Sequence, residues 1–160
     1  MAECPNYAIE NYDLIKSLID ANLNTYVAEV RAEQSYGAQF KDVKTVGGVK
    51  DQKVSFPACA IRTGNTQFAT PMTRSLTGSQ EVEVIIAAQH PNPVTLEKHM
   101  RGYEVALVRA LTKVSDEQGG WQVQISRANK TPQFLVGTTD EALTQRVGVV
   151  VSVTRTERRR

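Results

Sequence analysis

Between Glu81 and Leu111 the hydrophobic period of this chain changes once, and abruptly. In "QEVEVIIAAQ", Val82, Val84 and Ile86 alternate with Glu81, Glu83 and Ile85, the two-residue period of a strand with one buried face. "HPNPV" then stops the strand, because two prolines cannot continue a ladder. In "LEKHMRGYEVALVRALTKV", Leu96, Met100, Tyr103, Leu107, Ala110, Leu111 and Val114 form one helical stripe, with Glu97, Lys98, Arg101, Glu104 and Arg109 mostly off it. Thr95 stands where an N-cap is wanted. Gly102 inside the helix costs about 1 kcal/mol against alanine, which suggests a close helix–sheet contact. A strand and a helix that each bury one face require a helix-on-sheet domain.

The remaining segments fit around that unit. "NYDLIKSLIDANLNTYVAEVRAE" repeats Leu14, Ile15, Leu18, Ile19, Val27 and Val30 at helical spacing, with Asn11 as the expected cap and Asn22 and Asn24 weakening the middle. "FKDVKTVGGVKDQKVSF" reads as a polar hairpin turning at Gly47-Gly48, with Lys41, Lys44, Lys50 and Lys53 along its arms. Pro57 opens a strand through Ala58, Ala60 and Arg62 that is expected to turn at Gly64-Asn65, and "MTRSLTGSQ" reads as a loop. Residues 35–56 and 69–80, long and poor in core residues, are expected to project from the domain or to meet a partner. "DEQGG" closes the second helix. "WQVQISRA" alternates Trp121, Val123 and Ile125 with polar residues, "TDEAL" suggests a helical turn, and "TQRVGVVVSVTRTE" is the last strand. The expectation is one α+β domain over residues 1–160: an antiparallel or mixed sheet, two helices on one face, a long polar hairpin extension, and a basic tip at 156–160.

Charge and cysteine content narrow the function classes. The net charge is +2, less than the contribution of Arg158, Arg159 and Arg160. Without them the body is about neutral, unlike a domain built around a basic nucleic-acid footprint. Cys4 and Cys59 cannot make a secreted-type disulfide framework, and the acidic start "MAECPNYAIENYD" has no apolar signal region. No apolar run approaches the ~20 residues of a membrane helix. These features lead us to expect free thiols, folding in cytosol and no membrane partner.

No catalytic constellation stands out. His90, a strand-end residue, and His99, expected on the polar face of its helix, do not make a zinc motif with two distant cysteines. Phosphate-loop and nucleophile-elbow spacings are absent. Glu81 and Glu83 share one strand face and so form a candidate carboxylate pair, but a solvated strand face looks the same. Lysines on a hairpin together with terminal arginines are compatible with a small nucleic-acid-binding module, although only Phe40 and Phe56, at the hairpin ends, offer stacking surfaces. Edge strands also carry lysines to prevent unwanted pairing.

The element order and hydrophobic pattern of "LIKSLIDANLNTYVAEV", "FPACAIRTGN", "EVEVIIAAQHPNPVTLEKHMRGYEVALVRAL" and "RVGVVVSVTRTE" resemble those of the tail terminator proteins of long-tailed bacteriophages and related tail-completion proteins of the head–tail junction. That resemblance implies a non-enzymatic virion subunit without cofactor or metal, assembled in the host cytoplasm. It further implies a ring, commonly of six copies, that caps the tail tube, ends its polymerisation and meets the head connector while DNA passes through the lumen. A neighbouring neck or head-completion ring protein is the alternative.

On this reading Lys41, Lys44, Gly47, Gly48, Lys50, Lys53, Val82, Val84 and Val150 are candidate subunit or partner contacts, with the "VEVII" and "VGVVVSV" strands pairing across subunits. Val150 lies opposite the core-facing Val147, Val149, Val151 and Val153, on a face that a free monomer would expose. Arg155, Arg158, Arg159 and Arg160 are candidate contacts to the lumen or connector.

Overall fold

The computed structural model describes residues 7–45, 56–69, 75–112, 121–135 and 142–158. Helix α1 spans Tyr7–Gln34, and a 3-10 turn at Gly37–Gln39 follows. The strands are β1 (Lys44–Thr45), β2 (Ala58–Ala69), β3 (Ser75–His90), β4 (Trp121–Lys130), β5 (Phe134–Leu135) and β6 (Leu143–Arg158), with helix α2 (Pro93–Thr112) between β3 and β4. They form one mixed sheet in the order β1-β2-β3-β6-β4, with β5 pairing the start of β6. Only the β1–β2 pair is parallel. This is the expected α+β architecture.

Register turns the alternation seen in sequence into rows across the sheet. Thr63, Val82, Val151 and Ile125 lie side by side, as do Ile61, Val84, Val149 and Ala128. Val82, Val84, Ile86, Val147, Val149, Val151 and Val153 are all fully buried beneath the two helices. Helix α1 crosses β2 and β3, and α2 crosses β3, β6 and β4. Both sheet margins bulge near the Val82–Val151 row, between Thr63 and Thr66 in β2 and between Ile125 and Arg127 in β4.

Several local expectations change. Gly64-Asn65 does not turn the chain, because β2 absorbs it as the bulge and continues to Ala69. Ser75–Gln80, read as loop, is the first part of a 16-residue strand whose partners lie in β2 and β6. Asn11 is not a cap. It sits inside α1, buried, and donates from Nδ2 to Gln80 Oε1 at 2.9 Å, while Gln80 Nε2 donates to the Gly64 carbonyl of the bulge. Helix α2 is capped by Asn92 instead of Thr95, its Oδ1 accepting from the amides of Val94 and Thr95. The Gly47-Gly48 turn and the helical turn expected at "TDEAL" lie outside the described residues, apart from Ala142, which is not helical, and Leu143, which begins β6.

Helix α1 is unbroken through its two asparagines because both side chains have partners. Asn22 donates to the Leu18 carbonyl, and Asn24 bonds both the N–H and the C=O of Val43 at 2.8 and 3.0 Å. The residue type that weakens the helix in isolation therefore fastens the connector that follows it. At the helix end Ser35 takes φ 53°, and Tyr36 N donates to the Arg31 carbonyl, the six-to-one closure usually built on glycine. Arg31 then reaches forward, with Nε on the Phe40 carbonyl at 2.6 Å and Nη2 on Asp42 at 2.8 Å.

Phe40, read as a hairpin-end stacking residue, is fully buried. It stacks on Tyr103 at 4.3 Å and meets Tyr36 and His99 at 5.1 and 5.3 Å. Tyr36 Oη donates to the Lys98 carbonyl and Tyr103 Oη to the Lys41 carbonyl, so two tyrosines tie the connector to α2. Gly102 does mark a close approach, but to this connector and not to the sheet. A β-carbon there would stand 2.9 Å from Phe40 Cζ and 3.0 Å from Tyr36 Cε2.

His99 is likewise not on a polar face. It is 5% exposed, packed by Tyr36, Phe40 and His90, whose ring lies 5.7 Å away. Burial holds its pKa below the usual 6.5, and the neighbouring His90 adds to the effect. A depressed folded-state pKa means that the unfolded chain binds the proton more readily. The contribution of neutral His99 is complete above about pH 6.5 and is lost as pH falls below it, through the folded pKa. Thermal melts between pH 8 and pH 5 should show a decline on the acid side that is smaller in His99→Gln. An identical pH profile in that variant would remove His99 from the account.

Candidate interaction surface

The face of the sheet turned away from the helices carries a row of charge. Arg62, Glu83, Val150 and Arg127 are consecutive across β2, β3, β6 and β4, and Glu81 lies one outward-facing position further along β3. Arg62 pairs with Glu83, and Arg127 Nη1 approaches Glu81 Oε1 at 3.3 Å. Together with Thr63 and Gly64 these residues line a shallow open depression of about 120 Å³ with Val150 among its walls. Gly148 keeps the surface low, since a β-carbon there would lie 2.8 Å from Glu83 Oε1. Further along, the hydroxyls of Ser79 and Ser152 lie 3.0 Å apart and Thr154 Oγ1 is 3.3 Å from Ser79 Oγ.

Glu81 and Glu83, the candidate carboxylate pair, are therefore each held by an arginine from another strand, Glu83 by Arg62 of the adjacent β2 and Glu81 by Arg127 of β4, which reaches across β6. Exposed pairs of this kind contribute little stability, so their consequence is a flat surface with locally balanced charge. Neither arginine stands out in sequence, because the pairing depends on strand register across 21 and 46 residues.

The candidate contact residues separate into groups. Val82 and Val84 cannot be subunit contacts: they are fully buried, and β3 lies between β2 and β6 with no open edge. The "VGVVVSV" segment of β6 is likewise internal, lying between β3 and β4. Val150 is on the outward face as expected but only 3% exposed, flanked in register by the longer side chains of Glu83 and Arg127. Its burial is complete within the monomer. Lys41 and Lys44 are exposed, on the connector and on β1, while Gly47, Gly48, Lys50 and Lys53 lie outside the described residues. Arg155 is on the helix-covered face of β6 and forms an ion pair with Glu10 of α1, so it is a tether between elements. The backbone of Arg158 is the last of β6, in register with Ser75, and Arg159 and Arg160 lie outside the described residues.

Cys59 is buried, and burial pushes its thiol up to about 12, with Asp20 contributing, which suits a core residue and not a nucleophile. Among the described residues no three His, Cys, Asp or Glu side chains are grouped to hold a metal ion, and no helix is long and apolar enough to cross a membrane.

No protein-family model and no curated protein matches the chain. Among solved structures, a chain in the virion of a native gene transfer agent particle matches with a TM-score of 0.51 and 14% identity, covering 87% of this chain and 98% of that one. The fold of this protein is thus similar, from end to end of that chain, to the fold of a virion component.

Proposed function

We propose that this protein is a structural subunit of a phage-like virion that assembles into a ring, of six copies by our reading, on the tail axis. In this role it caps the tail tube, ends its polymerisation and joins it to the head connector, with DNA passing through the lumen. The observation that carries the reading is the fold shared with a virion chain over 98% of that chain's length. The same element order, strand then turn then helix between two further strands, underlies the resemblance to tail terminators.

The surface chemistry suits the role. The described arginines of the outward row are each neutralised by a glutamate, so that face would pass or neighbour DNA without gripping it. In this role the arginine tip, which begins at Arg158, the last residue of β6, meets an acidic connector surface or a pore mouth. Arg155, committed to Glu10, is not part of that contact.

Negative-stain microscopy of the purified protein, alone and mixed with tail tubes of the same particle, tests the reading. Rings, or tubes of uniform length capped at one end, are the expected result. A protein that stays monomeric and leaves tube length unchanged would overturn it.

A further inference from the structure

We propose that neighbouring copies of this chain join margin to margin, with the open edge of β4 in one copy laid antiparallel against the open edge of β2 in the next. This pairing rests on the ring assembly proposed above for its partner, a second copy. Three features of the sheet support it.

The first is where the edges are. Strand β1 covers β2 only at Ala58 and Cys59, so from Ala60 to Ala69 no described strand lies beyond it. Strand β4 pairs with β6 through nine of its ten residues, and no described strand lies on its other side. An open edge presents unpaired N–H and C=O groups that can accept a further strand.

The second is direction. Strands β2, β3, β6 and β4 alternate without exception, each antiparallel to the next. Four alternating strands leave β4 running opposite to β2. A second copy related by simple rotation, with its helices on the same face, therefore continues the alternation when its β2 meets this β4. The contact joins two different surfaces, the kind of interface that closes into a ring.

The third is side-chain chemistry. Edges that must stay single are usually guarded by lysine, proline, inward-pointing charge or bulges. Each margin here has a single bulge, and the one inward lysine of β4, Lys130, is bound to Glu97 at the far end of the strand. "TGNTQF", Thr63 to Phe68, and "QVQIS", Gln122 to Ser126, contain neither a charged residue nor a proline. Beneath them Ile61, Val123 and Ile125 are only partly buried, packed on the core at the margin of the sheet, and Phe68 is 53% exposed. A neighbouring strand would cover these apolar flanks. The margin arginines, Arg62 and Arg127, each have a glutamate of their own, so the junction brings together no unpaired like charges.

The test blocks one margin at a time and reads the backbone directly. Asn65→Lys/Gln67→Lys guards β2, Gln122→Lys/Gln124→Lys guards β4, and all four positions are exposed, so the fold should survive and circular dichroism will verify it. Each double variant is expected to lose ring formation in mass photometry with tail tubes present, while Lys16→Glu on the exposed side of α1 keeps it. In assembled wild-type protein, hydrogen exchange of amides in 66–68 and 122–125 should slow at least about tenfold relative to the blocked monomer. Blocked variants that still form rings, or rings whose margins exchange as in the monomer, would overturn the pairing and leave the ring assembly standing. A variant blocked only at β2 that still forms dimers would also overturn it, because β4 would then pair with its own copy. Wild-type protein that never assembles would overturn both.

Discussion

Phe40→Ala is expected to cost about 4 kcal/mol of folding stability, in the range for removing a large aromatic from a tight core. The ring is completely buried and contacts Tyr36, His99 and Tyr103, which come from the connector and from α2. Little can collapse into the space it leaves, because Tyr36 and Tyr103 are held by hydrogen bonds to the Lys98 and Lys41 carbonyls. The loss should therefore include both the transfer of the ring and a lasting cavity. Urea denaturation at neutral pH measures it, and Phe40→Leu, which keeps most of the volume, should lose less than half as much. A cost under about 1 kcal/mol for Phe40→Ala would mean that the connector is not anchored through this side chain.

Gly102→Leu is expected to be the other large effect, about 3 kcal/mol or more, from the opposite error of overfilling. The β-carbon alone would press on Phe40 at 2.9 Å, and the remaining leucine atoms would need the space that Phe40 occupies. Gly102→Ala should come out nearer to neutral, since a gain of about 1 kcal/mol in helix propensity offsets part of the clash. The two sites share one space, so their effects should not add. Phe40→Ala combined with Gly102→Leu should be less destabilised than the sum of the single variants by at least about 1 kcal/mol. Strict additivity would show that helix α2 shifts away from the connector instead of competing for its ring. Both experiments concern the same clasp, by which residues 36–43 hold α1, α2 and the start of β1 together.

Much of the core is legible in the sequence. Val82, Val84 and Ile86, the stripe from Leu96 to Leu111, and the alternating valines of β6 are buried on the expected side, because burial of one face writes a period of two or 3.6 into consecutive residues. The errors cluster where a polar residue has a distant partner. Asn11 reads as a helix cap because asparagine often caps, but its partner is Gln80, 69 residues away. His99 reads as surface by its position beside Lys98 and Arg101, yet Tyr36 and Phe40 close over it. Gly64-Asn65 has the composition of a turn, and the long strand β3 beside it makes it a bulge.

The candidate contact surface was less legible, for the same reason. Arg62 and Arg127 become partners of Glu83 and Glu81 only once β2, β3, β6 and β4 are aligned. Val150 looked like an apolar residue in need of a partner because nothing in its neighbourhood along the chain could shield it. Its neighbours across the sheet are Glu83 and Arg127.

By itself, then, the sequence determined the two helices, the central parts of the long strands and the core-facing side of their apolar residues, since these follow from local geometry repeated along a few turns or pleats. Tertiary structure alone decided the order of the strands, and with it which edges are left open. The valine-rich strands that look most ready to associate are interior, and among the described strands the margins are formed by β4 and, beyond the two residues covered by β1, by β2, both polar and amide-rich. Strand order depends on hydrogen bonding between segments far apart in the chain, and the side-chain period of any one strand is the same at the centre of a sheet as at its edge.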